Sequence, residues 1–263
     1  MHICTQCGSE VPDGYRFCFN CGAPIPEDAL EPAAPVVAEP KHAIEAQLVL
    51  VKGEGFPGIS YRLKTDNHRL GRLHGTILFP DDRYLSMLHA NLFYENDKLF
   101  LVDEGSDNGV FVKIKDSVPI QHNDLFLTGE QLIRFEQVQE YNSYDGVAAG
   151  PEDDAKFYGC PPEKELFFRL IHLFRNQQPG AVFYASNNSV RIGREHCDLS
   201  FPFDRHISGR HARVYEENGS YFLQDLGSRN GTFLRINGSH ELKDGDHFFA
   251  GQQLFRVEIQ ATS

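Results

Sequence analysis

Apolar and polar residues alternate in short runs along most of this chain. QLVLVK (47–52), ANLFYENDKLFLVD (90–103) and QLIRFEQV (131–138) show it in the first half, and ARVYEE (212–217) and SYFLQDL (220–226) in the second. A period of two sends successive side chains to opposite faces, so each run predicts a half-buried strand. Asn218-Gly219 between the last two runs is a strong hairpin signal, and Glu95-Asn96-Asp97 plays the same part in the first half. No stretch keeps a helical period for three turns. ELFFRLIHLFR (165–175) can pass for a short amphipathic helix, but its place relative to the first half favours a strand. The chain reads as mainly β, and its 21 Phe and 10 Tyr suit strand interiors.

The pattern occurs twice. Gly71-Arg72 matches Gly193-Arg194, Ser86-x-x-His89 matches Ser208-x-x-His211, Asn108-Gly109 matches Asn230-Gly231, and Gly129 matches Gly251. Every pair is offset by the same 122 residues (208 − 86, 230 − 108). A gapless offset of that length is a duplicated domain, and 263 residues suffice for two cores.

Gly-Arg, then Ser-x-x-His, then Asn-Gly and a late Asp-Gly-Asp, in a chain of short strands, resembles the forkhead-associated (FHA) domain. The resemblance covers residues 44–138 and 166–260. It implies two β-sandwiches that bind phosphothreonine peptides through loops at one end. A phosphothreonine carries nearly two negative charges and three acceptor oxygens. Arg194 offers a fork of N–H donors that fits phosphate bidentately, and Ser208 a hydroxyl donor. By resemblance these two hold the phosphate, and Asn230 bonds the peptide main chain. Gly209, Arg210 and Arg229 lie in the same loops, and His211 braces them from inside. The first copy keeps Arg72, Ser86, Asn108 and His89. It has Leu88 for Arg210 and Asp107 for Arg229, a charge change of −3. The first copy is therefore expected to bind phosphate more weakly, to prefer a basic flank, or to serve only for packing.

Residues 1–26 carry Cys4-x-x-Cys7 and Cys18-x-x-Cys21. Four thiolates in two tight turns fit one tetrahedral, closed zinc site, and the pattern looks like short bacterial zinc ribbons. Cysteine used this way points to a reducing compartment, so a cytoplasmic location is expected. Cys197 is expected to be a small buried hydrophobe and Cys160 a linker thiol. A Pro/Ala-rich linker (27–43) and a second break (139–165) separate the ribbon and the two sandwiches. Neither break contains threonine, so the ligand is expected on another chain.

A net charge of −12 disfavours nucleic acid and anionic membranes as partners. No Walker-type glycine loop, Gly-x-Ser-x-Gly elbow or open metal site supports an enzyme. The reading is an adaptor for threonine-phosphorylated proteins in Ser/Thr kinase signalling, of bacterial type, with a kinase or its substrates as partners and the second sandwich as the stronger site. The alternative is a phospho-independent scaffold whose phosphate sites are vestigial.

Overall fold

The computed structural model describes residues 2–11, 21, 23–24, 43–52, 58–138, 166–174 and 177–262. Met1–Lys41 and His42–Ser263 are separate compact units. In the first, β1 (His2–Ile3) pairs antiparallel with β2 (Glu10–Val11), and Cys4, Val11 and Ala23 form a small apolar cluster.

Among the described residues, the second unit holds two sets of ten strands, one per repeat. The first set is β3 (Ile44–Lys52), β4 (Ser60–Leu63), β5 (Asn67–Gly71), β6 (Ile77–Leu78), β7 (Ala90–Glu95), β8 (Lys98–Asp103), β9 (Val110–Lys113), β10 (Val118–Ile120), β11 (Leu125–Thr128) and β12 (Gln131–Gln137). The second set is β13 (Phe168–Leu173), β14 (Pro179–Ala185), β15 (Ser189–Gly193), β16 (Leu199–Ser200), β17 (Ala212–Glu217), β18 (Ser220–Asp225), β19 (Thr232–Arg235), β20 (Ser239–Leu242), β21 (His247–Ala250) and β22 (Gln253–Ala261). The ambiguous 165–175 run contains the strand β13. Both predicted hairpins form on residues of positive φ, Asn96 and Asp97 (50° and 58°) and Asn218 and Gly219 (53° and 77°). Such turns match the twist of the flanking strands.

The strands do not segregate by repeat. One five-stranded sheet runs β20-β8-β7-β5-β6 and the other β10-β18-β17-β15-β16. Each takes one strand from the other repeat. A ten-stranded sheet, β14-β13-β12-β11-β19-β9-β21-β22-β3-β4, serves both sandwiches. The first core therefore combines Leu48, Leu92 and Leu101 with Phe248, Phe255 and Val257, and the second combines Phe126, Ile133 and Phe135 with Phe168, Val214 and Leu223. As the last alternating run of the first repeat, QLIRFEQV would by simple duplication close that repeat's own sandwich. Instead β12 closes the second sandwich by pairing with β13, and β22 closes the first by pairing with β3.

The exchange has an internal twofold logic. At the junction of β9 and β19, Val112 faces Leu234, its own counterpart at offset 122, while Phe111 faces Arg235 and Lys113 faces Phe233. Side chains lock the crossing. Asp82 accepts from Gln252 N and Gln253 Nε2 (2.8 Å each), and Asp204 accepts from Glu130 N (2.8 Å) and Gln131 Nε2 (2.7 Å). Each carboxylate belongs to one repeat and caps the β-hairpin turn of the other. The Asp204 carboxyl is pushed up by burial, but these bonds outweigh that and hold it below the usual range.

Candidate functional site

At the second sandwich, β15 ends at Gly193 and delivers Arg194. A Cβ at Gly193 would overlap the Gly209 carbonyl oxygen, so glycine lets the strand end lie against the Ser208 loop. The Arg194 amide donates to the Ser208 carbonyl (2.9 Å). The Ser208 amide donates to His211 Nδ1 (3.0 Å), so the proton sits on Nε2, which donates to the Gly231 carbonyl (3.0 Å). One buried ring thus ties the Ser208 loop to the Arg229-Asn230-Gly231 turn. Burial lowers the His211 pKa, which favours this neutral form.

The turn itself is built by Asp225. Its carboxylate accepts from the amides of Gly227 and Ser228 and from the hydroxyls of Ser228 and Thr232. Burial raises the Asp225 pKa, and the bonds from Ser228 and Thr232 more than reverse the effect. The Arg229 amide then donates to Ser208 Oγ (3.0 Å), and Asn230 Nδ2 donates to the His206 carbonyl (2.7 Å). Asn230 keeps a second N–H and a carbonyl oxygen for a ligand. Arg210 and Arg229 are exposed. The structure therefore brings Arg194, Ser208, Gly209, Arg229 and Asn230 together on adjoining loops.

The first sandwich repeats this scaffold. Arg72 N donates to Ser86 O (3.0 Å), Ser86 N to His89 Nδ1 (3.1 Å), His89 Nε2 to Gly109 O (3.1 Å), and Asn108 Nδ2 to Tyr84 O (2.8 Å). The difference lies at Ser86. Asp107 N donates to Ser86 Oγ (3.1 Å), and the hydroxyl in turn donates to the Asp107 carboxylate (3.2 Å). Arg72 Nε is buried without a hydrogen-bond partner.

Three features escape a reading by motif. Glu195 lies against Gly209, 3.6 Å from where a Cβ would stand, and its counterpart is Leu73. Counting it reduces the charge difference between the sites from three to two. Lys113 packs on Gly231 and Arg235 on Gly109, so each turn is backed by a cation from the other repeat. Their partners follow only from the strand exchange. Cys197 is half-buried rather than buried; its Sγ donates to the Gly209 carbonyl (3.2 Å), and burial raises its pKa.

In the N-terminal unit, Cys4, Cys7 and Cys21 place their sulfurs within 4.8 Å of one another, with Cys4 and Cys21 at 3.7 Å. Sulfurs arranged tetrahedrally about 2.3 Å from one zinc stand about 3.8 Å apart, so the cluster fits the ion. Amides of Gln6 and Cys7 directed at Cys4 lower its thiol pKa, which favours the thiolate a metal needs. Cys18 and Cys160 lie outside the described residues.

Family comparison agrees with this architecture. The FHA domain model matches residues 68–129 and 190–250, and a zinc-ribbon domain model matches residues 3–25. An FHA domain-containing protein of Arabidopsis thaliana is 32% identical over 91 residues, 32% of this chain and 23% of that protein. The E3 ubiquitin-protein ligase CHFR of Danio rerio is 34% identical over 76 residues, 26% of this chain and 12% of that protein. The matched region thus spans less than a quarter of either relative. A solved FHA domain from a study of phosphothreonine-dependent interactions is 27% identical, covering 32% of this chain and 88% of its own, with a TM-score of 0.20. The chain thus carries two FHA domains behind an N-terminal zinc ribbon.

Proposed function

We propose that this chain is a non-enzymatic adaptor that docks threonine-phosphorylated proteins on its second sandwich. The observation that carries the reading is the state of Ser208. Its Oγ accepts from the Arg229 amide and, among the described residues, donates to none. Its proton is available beside Arg194, with Arg210 and Arg229 exposed on the same loops. A doubly charged phosphate needs such a donor flanked by guanidinium groups. Asn230 holds the register of the peptide. The setting that fits is Ser/Thr kinase signalling of bacterial type in the cytoplasm, with a kinase or its substrate as the partner. Zinc held by Cys4, Cys7, Cys18 and Cys21 gives the ribbon its fold.

Calorimetry of the full chain tests this. A phosphothreonine peptide is expected to bind and its unphosphorylated form to fail. Arg194→Ala or Ser208→Ala is expected to weaken binding about tenfold to hundredfold, the loss of one or two charge-assisted hydrogen bonds. Equal binding of both peptide forms would favour a phospho-independent scaffold instead.

A further inference from the structure

We propose that Asp107 decides the fate of the first site by occupying, with its own carboxylate, the donor that a phosphate would use. The inference rests on the phosphothreonine reading of the second site and concerns its counterpart. The two sites share their frame almost bond for bond. Arg72, Ser86, Asn108 and His89 make the same backbone contacts as Arg194, Ser208, Asn230 and His211. In both, the amide after the turn's serine donates to the loop serine's Oγ, at 3.1 Å from Asp107 and 3.0 Å from Arg229. The first site adds one bond. The Ser86 hydroxyl donates to Asp107 Oδ2 (3.2 Å), which closes a two-bond ring between residues 86 and 107.

The consequence is chemical. A serine hydroxyl has one proton to give, and at Ser86 it is already given to an anion. An incoming phosphate must break that bond and then sit beside a like charge. Asp107 is also held in place from outside its own loop. Gln177, from the β13–β14 turn of the second sandwich, donates its Nε2 to the Asp107 carbonyl (2.6 Å). The buried Arg72 Nε stays without a partner, so Asp107 satisfies the hydroxyl but leaves that N–H unpaired. The first site is a complete phosphate frame closed by one residue.

It follows that Asp107→Arg, the residue of the second site, opens the first. The test is calorimetry of the full chain with one phosphothreonine peptide. Wild type is expected to bind one equivalent, with any second event about tenfold or more weaker. Asp107→Arg is expected to bind two. Arg194→Ala weakens binding about tenfold to hundredfold, Arg194→Ala/Asp107→Arg restores one tight equivalent, and adding Arg72→Ala weakens it again. Asp107→Ser gives the same direction with a smaller change, and unfolding midpoints check that each variant is folded. Failure of wild type to bind would overturn the functional reading and this inference with it. Wild-type binding with two equal sites, or a folded Arg194→Ala/Asp107→Arg and Arg194→Ala/Asp107→Ser pair that both stay silent, would overturn this inference alone.

Discussion

Protonating His211 breaks a bond on which both loops of the second site depend. Its Nδ1 must accept from the Ser208 amide, and an imidazolium has no acceptor. Burial holds the folded pKa below the ordinary value of about 6.5, which unfolding restores. Between those two values the unfolded chain binds a proton that the folded chain refuses. Stability is therefore full above about pH 6.5 and is lost as the pH falls through the folded value. His68, His89, His172, His240 and His247 are lowered by burial in the same sense. Urea midpoints are expected to fall between about pH 7.5 and about pH 5.5, and His211→Gln to flatten that slope. An unchanged slope in the variant would contradict the role given to the ring. The loop residues themselves were legible as Ser-x-x-His and Asn-Gly. Glu195 was not, because nothing in a residue's type says that it will lie across a neighbouring loop.

At the scale of strands, the sequence shows which segments pair but not which copy they pair with. LFLTGEQLIRFE (125–136) and HFFAGQQLFRVE (247–258) present the same inward pattern, with Phe126, Ile133 and Phe135 buried in one and Phe248, Phe255 and Val257 in the other. Alternation and turn chemistry are satisfied by either choice of sandwich, so local signals are silent on the exchange. Connectivity shapes the result. The second sandwich is assembled from one continuous stretch, 114–234, while the first closes around it with residues from both ends. Cutting a protease site inserted within 139–165 gives a direct check. The two halves share both cores, so they are expected to co-elute as one particle until denaturant separates them. Halves that part on a sizing column without denaturant would show that each repeat closes on itself.

For the whole molecule, duplication and divergence are readable together. The common offset fixed two domains of one family, and the substitutions at 88 and 107 marked the first as different. The physical form of that difference, a hydroxyl consumed by a carboxylate, is set by the fold, which brings Ser86 and Asp107 within hydrogen-bond reach. The exchanged strands also mean that the two sandwiches share one ten-stranded sheet rather than standing as two tethered beads. A phosphothreonine ligand can land on either set of loops. Titrating the isotope-labelled full chain with such a peptide and following backbone amides by NMR tells the two apart most directly. The amides of Ser208, Gly209, Arg229 and Gly231 are predicted to shift while those of Ser86, Asp107 and Gly109 stay still. Shifts confined to Ser86, Asp107 and Gly109, or seen in neither sandwich, would contradict this prediction.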